Sequence, residues 1–167
     1  MADYKGHIGG AVVICAVFMI GVTLLPVAWL AKTGGILSNW QMVAALFVVA
    51  MLFGLWPDID TNSKAQDIFF GAAFVLDILL IAFGYLEAAA YLGLLAMTPI
   101  IGKHRGWTHK KWAMLVIPLP ILLVPYLYQP DNLLPGVLFY CAAVAGYFSH
   151  LLLDGLIIKS FRIKGGW

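Results

Sequence analysis

Charge is what this sequence has least of. Of its 167 residues only 11% are Asp, Glu, Lys or Arg, against 63% hydrophobic. An ordinary soluble domain is about 25% charged and about 45–50% apolar. The composition therefore excludes disorder and argues against a soluble globule, as does a mean hydropathy of +0.95. A basic excess is missing too. Ten Lys/Arg against eight Asp/Glu leave a net charge of +2, so nucleic acid is not expected as a partner. Cysteine is scarce: Cys15 and Cys141 both lie inside apolar runs and form no C-x-x-C pair. That excludes a disulfide framework and a zinc ribbon. No repeat, low-complexity tract or dividing linker interrupts residues 1–167, which read as one domain.

What the chain does have is long apolar runs. A bilayer core of about 30 Å needs roughly 20 apolar residues as helix. Six segments are predicted: 8–31, ended by Lys32-Thr33-Gly34-Gly35; 40–56, stopped by Pro57; 68–83; 88–101; 112–128; and 133–158. The fifth is bent by Pro118, Pro120 and Pro125. A single helix over 66–101 would be about 54 Å long, too long for a bilayer, so a hairpin breaking at Gly84-Tyr85-Leu86-Glu87 is preferred. The fourth segment covers only about 21 Å, which predicts local thinning or a tilted bundle. The first segment is too long for the apolar core of a cleavable signal and has no small-x-small site after it, so it reads as a retained span. The expected fold is an all-α polytopic membrane bundle of about six transmembrane helices.

Six spans place both termini on one side. Nine of the ten cations then share that side, with only Lys32 opposite, and the positive-inside rule makes it the cytoplasm. Trp56, Trp107 and Trp112 read as interfacial anchors there, Trp29 and Trp40 as anchors on the far side. All four histidines fall on the cation-rich side: His7 at the start of the first span, His104 and His109 in the loop after the fourth, and His150 near the end of the sixth. Asp58 and Asp60 follow Pro57 there, and Asp154 lies one turn beyond His150 on the same helical face.

Neutral imidazole and carboxylate are the usual zinc ligands, and a catalytic site leaves one position open for water. His150 and Asp154, at i and i+4, offer a nitrogen and an oxygen to a single ion. Of Asp58 and Asp60, one could ligate while the other orients a ligand or takes a proton. The guanidinium of Arg105, between the two loop histidines, suits a phosphate. Together these residues point to phosphoester hydrolysis by metal-activated water. Each piece alone has a plainer reading. His7 reads equally as a polar helix start, Asp58 and Asp60 as a solvated turn, and Lys103-His104-Arg105 as a cationic anchor for lipid headgroups. His150 and Asp154 resist that reading, because ionisable residues inside a membrane helix are costly. Asp77, midway along the third segment, is expected to cap a backbone group or pair with a buried polar side chain.

The stretches Gly6-His7, Pro57-Asp58-Ile59-Asp60, His104-Arg105-Gly106-Trp107-Thr108-His109 and Gly146-Tyr147-Phe148-Ser149-His150 with Asp154 resemble, in order and over nearly the whole chain, the YdjM-type family of bacterial inner-membrane metal-dependent hydrolases. Its ligand spacing is in turn similar to that of zinc-dependent phospholipase C and related zinc nucleases. The resemblance implies that His7, Asp58, His104, His109, His150 and Asp154 ligate one to three Zn2+ or other divalent ions. It implies that Asp60 is a general base or supports a ligand, and that Arg105 clamps phosphate. It further implies an inner-membrane enzyme that hydrolyses a phosphoester; the cation bias sets its termini and site on the cytoplasmic face of a multi-pass protein, a site at the bilayer edge favours a phospholipid or lipid-linked substrate, and a homo-oligomer is compatible with the reading. The chain departs from the family at Lys110-Lys111, where a small polar residue is expected after His109. Two rival readings stay open: a non-catalytic membrane adaptor stapled by a metal or polar site, and a small transporter.

Overall fold

The computed structural model describes residues 4–24, 33–59, 64–101, 107–128 and 133–155, and all regular structure among them is helical. Eight α-helices follow one another: α1 (Tyr4–Leu24), α2 (Thr33–Leu37), α3 (Trp40–Leu55), α4 (Lys64–Ala82), α5 (Leu86–Ile101), α6 (Lys111–Val116), α7 (Leu119–Tyr128) and α8 (Leu133–Leu153). A 3₁₀ turn, Trp56–Asp58, follows α3 directly.

The ends of these helices follow local chemistry. Asn39 caps α3, its side chain accepting from the Gln41 N–H at 2.9 Å. At the other end Pro57 sits at the start of the 3₁₀ turn, where its missing N–H costs nothing. Gly84, at φ +82°, makes the turn between α4 and α5, so the hairpin expected there forms. Gly155, at φ +70°, follows the end of α8 in the same way.

Four helices are long and apolar enough to cross a membrane: Tyr4–Leu24, Trp40–Asp58 with its 3₁₀ turn, Lys64–Ala82 and Leu133–Leu153. The stretches Leu86–Met97 and Lys111–Val124 are apolar but shorter. Several expected boundaries shift. The first helix begins at Tyr4 rather than at residue 8, which moves His7 from the start of a span into a helical turn. Residues 33–37, expected as the polar end of the first segment, form the short α2. The fifth segment is two helices broken at Ile117-Pro118. Pro118 cannot donate a backbone hydrogen bond, whereas Pro120 falls in the first turn of α7, where none is needed.

The bundle is centred on α1, α3 and α8, each packed against the other two, with α7 on the outside of α8. Inside a bilayer no hydrophobic force pulls helices together, so close packing of small residues has to do it. A Cβ added at Gly54 would lie 2.8 Å from the Ala11 Cβ, and one at Gly146 would collide with the Ala50 carbonyl. These contacts run α1 antiparallel to α3, and α8 parallel to α3. The α4–α5 hairpin touches this core through Phe69, Ala73 and Ala96 and leaves most of its apolar surface exposed. Trp56 corrects an expectation. It is fully buried, stacked on Phe53 and edge-on to Phe69, and so is a core residue rather than an interfacial anchor. Trp40 and Trp112 are exposed as anchors should be, and Trp29 lies outside the described residues.

Candidate metal centre

Helix direction decides what meets at one end of the bundle. The antiparallel arrangement brings the first turns of α1 beside the final turns of α3 and α8. His7, Asp58, His150 and Asp154 therefore arrive together from three chain segments. The turn before α6 adds His109 from a fourth. Nothing in the spacing of these residues along the chain, from 7 to 154, requires this; the packing of Ala11, Gly54, Ala50 and Gly146 imposes it.

The cluster is tight. His150 Nε2 lies 3.6 Å from an oxygen of Asp58 and 3.6 Å from one of Asp154. His109 Nε2 lies 3.6 and 3.9 Å from the same two carboxylates. His7 Nε2 lies 3.8 and 3.7 Å from them. One donor atom each from Asp58, His109, His150 and Asp154 can be chosen so that all lie within 4.8 Å of one another. The His7 and His150 rings stack at 3.9 Å, and His109 meets His150 edge-on at 5.5 Å.

Burial is uneven, and the unevenness sets the access. The side chains of His7, His150 and Asp154 are 1%, 0% and 3% exposed, whereas those of His109 and Asp58 are 17% and 25% exposed. The cluster is closed toward the bundle and open on the side of Asp58 and His109. Lys110 and Lys111, next to His109, are both exposed.

His150 shows what these distances mean. Its Nδ1 lies 2.8 Å from the Gly54 carbonyl oxygen, which can only accept, so Nδ1 carries the proton. A neutral ring then turns the Nε2 lone pair toward two carboxylates, which is repulsive. A charged ring would instead donate to them at about 2.7–2.9 Å, much closer than 3.6 Å. Donors that share a tetrahedral ion at about 2.0–2.2 Å stand roughly 3.3–3.6 Å apart, close to the spacing here. Nε2 of His7, His109 and His150 and Oδ1 of Asp154 are all buried without a hydrogen-bond partner among the described residues. Buried polar atoms are seldom left so. The donor set fits a divalent cation.

A support layer lies behind these side chains. Thr108 is buried, and its Oγ1 lies 3.1 Å from His109 Nδ1. Tyr147, one turn before His150, donates its hydroxyl to the Thr108 carbonyl. The Gly54 carbonyl does the equivalent service for His150. Sequence reasoning quoted Thr108 and Tyr147 only as parts of motifs and missed these roles. Their signal is position: one neighbours a candidate ligand, and the other is a polar group one helical turn from another.

Of the expected site residues, His7, Asp58, His109, His150 and Asp154 come together, and the plainer reading of His7 as a polar helix start does not suit a side chain 1% exposed. His104, Arg105 and Asp60 lie outside the described residues. Asp77 does not pair as expected. Among the described residues its buried Oδ1 has no hydrogen-bond partner, and it lies against a cavity of about 190 Å³ between α4 and α5, lined mostly by Phe70, Phe74, Leu92 and Met97. Neither Asp77 nor the other residues of that cavity belong to the cluster.

A family model described as YdjM inner membrane protein matches residues 3–163 of the chain. No curated protein and no solved structure matches it.

Proposed function

We propose that this chain, which belongs to the YdjM inner membrane protein family, holds divalent metal, zinc foremost, at the His7, Asp58, His109, His150 and Asp154 cluster and hydrolyses a phosphoester there. One observation carries the reading. Three imidazole nitrogens face two carboxylates at 3.6–3.9 Å, too far for charged hydrogen bonds and near the spacing of ligands around an ion. Bound zinc would supply Lewis acidity and lower the pKa of the water it binds to about 7.

The chain's own groups have separable tasks. His150 is held by the Gly54 carbonyl and His109 by Thr108, so both present Nε2 without rearrangement. Asp58 and His109, at the open edge, are where substrate arrives. Lys110 and Lys111 beside that edge favour an anionic partner. Arg105 would bind its phosphate and Asp60 would take or relay a proton, with His104 a further ligand. A site at the end of a membrane bundle meets headgroups directly, so a phospholipid or lipid-linked phosphoester is the favoured substrate, in a reaction similar to that of zinc-dependent phospholipase C. The bias of nine cations in ten supports six spans, with α5 and the α6–α7 pair as the short ones, and a site facing the cytoplasm. Reporter fusions near residues 60 and 109 should then read the same side; opposite sides would remove the shared site.

A second reading has its own support. The cluster joins α1, α3 and α8, the three helices that form the core, so a metal there would also staple the bundle without catalysis. Elemental analysis of the purified chain, followed by a panel of phosphoesters on the same sample, separates the two. Bound metal with hydrolysis supports the enzyme; bound metal without it supports the staple. Absence of metal, with no uptake of added zinc, overturns both. His150→Ala and Asp154→Ala are each expected to release the metal.

A further inference from the structure

Asp77 is the one acid inside the apolar run of α4, about 20 Å of helix beyond Lys64 and about 8 Å before Ala82. Ionisable residues inside a membrane span are costly and are functional by default. The buried Oδ1 of Asp77 has no hydrogen-bond partner among the described residues. Lipid tails offer no donor either, so the cost of that oxygen stands until another molecule brings one.

The surroundings specify what such a molecule must be. Phe70, Ala73, Phe74 and Asp77 recur at i, i+3, i+4 and i+7 and so share one face of α4. Leu92, Gly93, Ala96 and Met97 of α5 form the other wall of the cavity of about 190 Å³. Small residues make the room: a Cβ added at Gly93 would meet nothing within 4 Å. Phe74 and Met97 are exposed on the outside of the hairpin, so the cavity is reached from the lipid. A dry apolar cavity of about 150 Å³ holds benzene, so this one suits a single ring with a short arm. A carboxylate selects a cation at the end of that arm, and the aromatic lining of Phe70 and Phe74 favours a cation as well. All the other lining side chains are apolar, so the rest of the molecule must be apolar too.

We propose that the α4–α5 hairpin binds a small lipophilic amine, its ammonium on Asp77 and its apolar body among Phe70, Phe74, Leu92 and Met97. The site shares no residue with the metal centre, and amine binding is independent of metal there.

The probe is para-fluorophenethylamine, followed by fluorine NMR on the full chain in lipid nanodiscs, with empty nanodiscs reporting simple partitioning. Saturable binding of one amine per chain is expected. Asp77→Asn should weaken it about tenfold or more, the usual scale for losing a hydrogen bond between charged partners. Gly93→Leu fills the cavity while keeping the carboxylate, and should abolish binding. The neutral analogue para-fluoropropylbenzene, of similar shape, should bind the wild type about tenfold or more weakly than the amine does. A signal no different from that of empty nanodiscs overturns the proposal, as does binding undiminished in either variant. Equal binding of the amine and its neutral analogue overturns the assignment of an amine. Circular dichroism checks that each variant keeps its helices; should Gly93→Leu lose them, Asp77→Asn and the neutral analogue decide the matter.

Discussion

The side chains of His109 and His150 are held from behind by different devices, and the difference is testable. His150 leans on a backbone carbonyl of α3, which no substitution at that position removes. His109 depends on Thr108, whose carbonyl is tied to α8 by the Tyr147 hydroxyl. Tyr147→Phe deletes that tie while keeping the ring. Groups that orient a metal ligand typically contribute about 10–100-fold in metal affinity, so Tyr147→Phe should weaken zinc binding by about tenfold. The check is competition with a chromophoric chelator, on protein shown to keep its helical content. At this scale the sequence was informative because ionisable residues are so few. His7, Asp58, His109, His150 and Asp154 all stood out as a group that should meet, and they do, since a membrane chain tolerates few such groups without a use for them. The supporting groups were not, because a Thr or Tyr hydroxyl has many ordinary uses and reveals its task only through its partner.

Among the elements, α3 and α8 are pressed together at Ala50 and Gly146, and α1 joins them at Ala11 and Gly54. Gly146→Ala places a methyl against the Ala50 backbone, which cannot rotate away as a side chain can. Overpacking typically costs about 1–3 kcal/mol, and the upper end is expected here, read as a lowered midpoint of thermal or detergent-induced unfolding. Gly71→Ala on α4 is the control: nothing lies within 4 Å of the added methyl, and stability should change by no more than about 1 kcal/mol. Zinc affinity should fall in Gly146→Ala, because the same contact sets the spacing of Asp58 and His150. The long helices and the α4–α5 hairpin were legible from apolar run length and from Gly84, whereas the short α2 was not. The division at Pro118 and the burial of Trp56 were not. A proline bends or breaks a helix according to whether its turn is needed, and a tryptophan anchors or fills according to what packs on it. Both depend on contacts that lie far away in sequence.

The whole molecule behaves as a bundle whose one end is joined through its polar cluster. A ligand that binds only the folded chain stabilises it by RT ln(1 + [L]/Kd), about 4 kcal/mol at a thousandfold excess over Kd. Zinc should therefore raise the unfolding midpoint, a strong chelator should lower it, and Asp154→Ala should abolish the difference. Acidification should mimic the chelator. Histidine ligands must be deprotonated to bind, so protons compete with metal and occupancy should fall on acidification; metal content after dialysis at stepped pH measures it. The antiparallel setting of α1 against α3 and α8 also fixes an electrical bias at that end. Each helix terminus carries roughly half an elementary charge, positive at the N-terminus and negative at the C-terminus. Of the three core helices two present C-terminal ends and one an N-terminal end, about half a charge negative in sum, and the N-terminus of α6, two residues after His109, offsets part of it. On the function proposed above, the two aspartates of the bare cluster would oppose an anion that Lys110 and Lys111 attract at the open edge, and a bound cation would remove that opposition. On the proposed function, metal and phosphate binding at this end would then reinforce each other, because the direction in which α1, α3 and α8 run gathers both aspartates at the place the anion must reach.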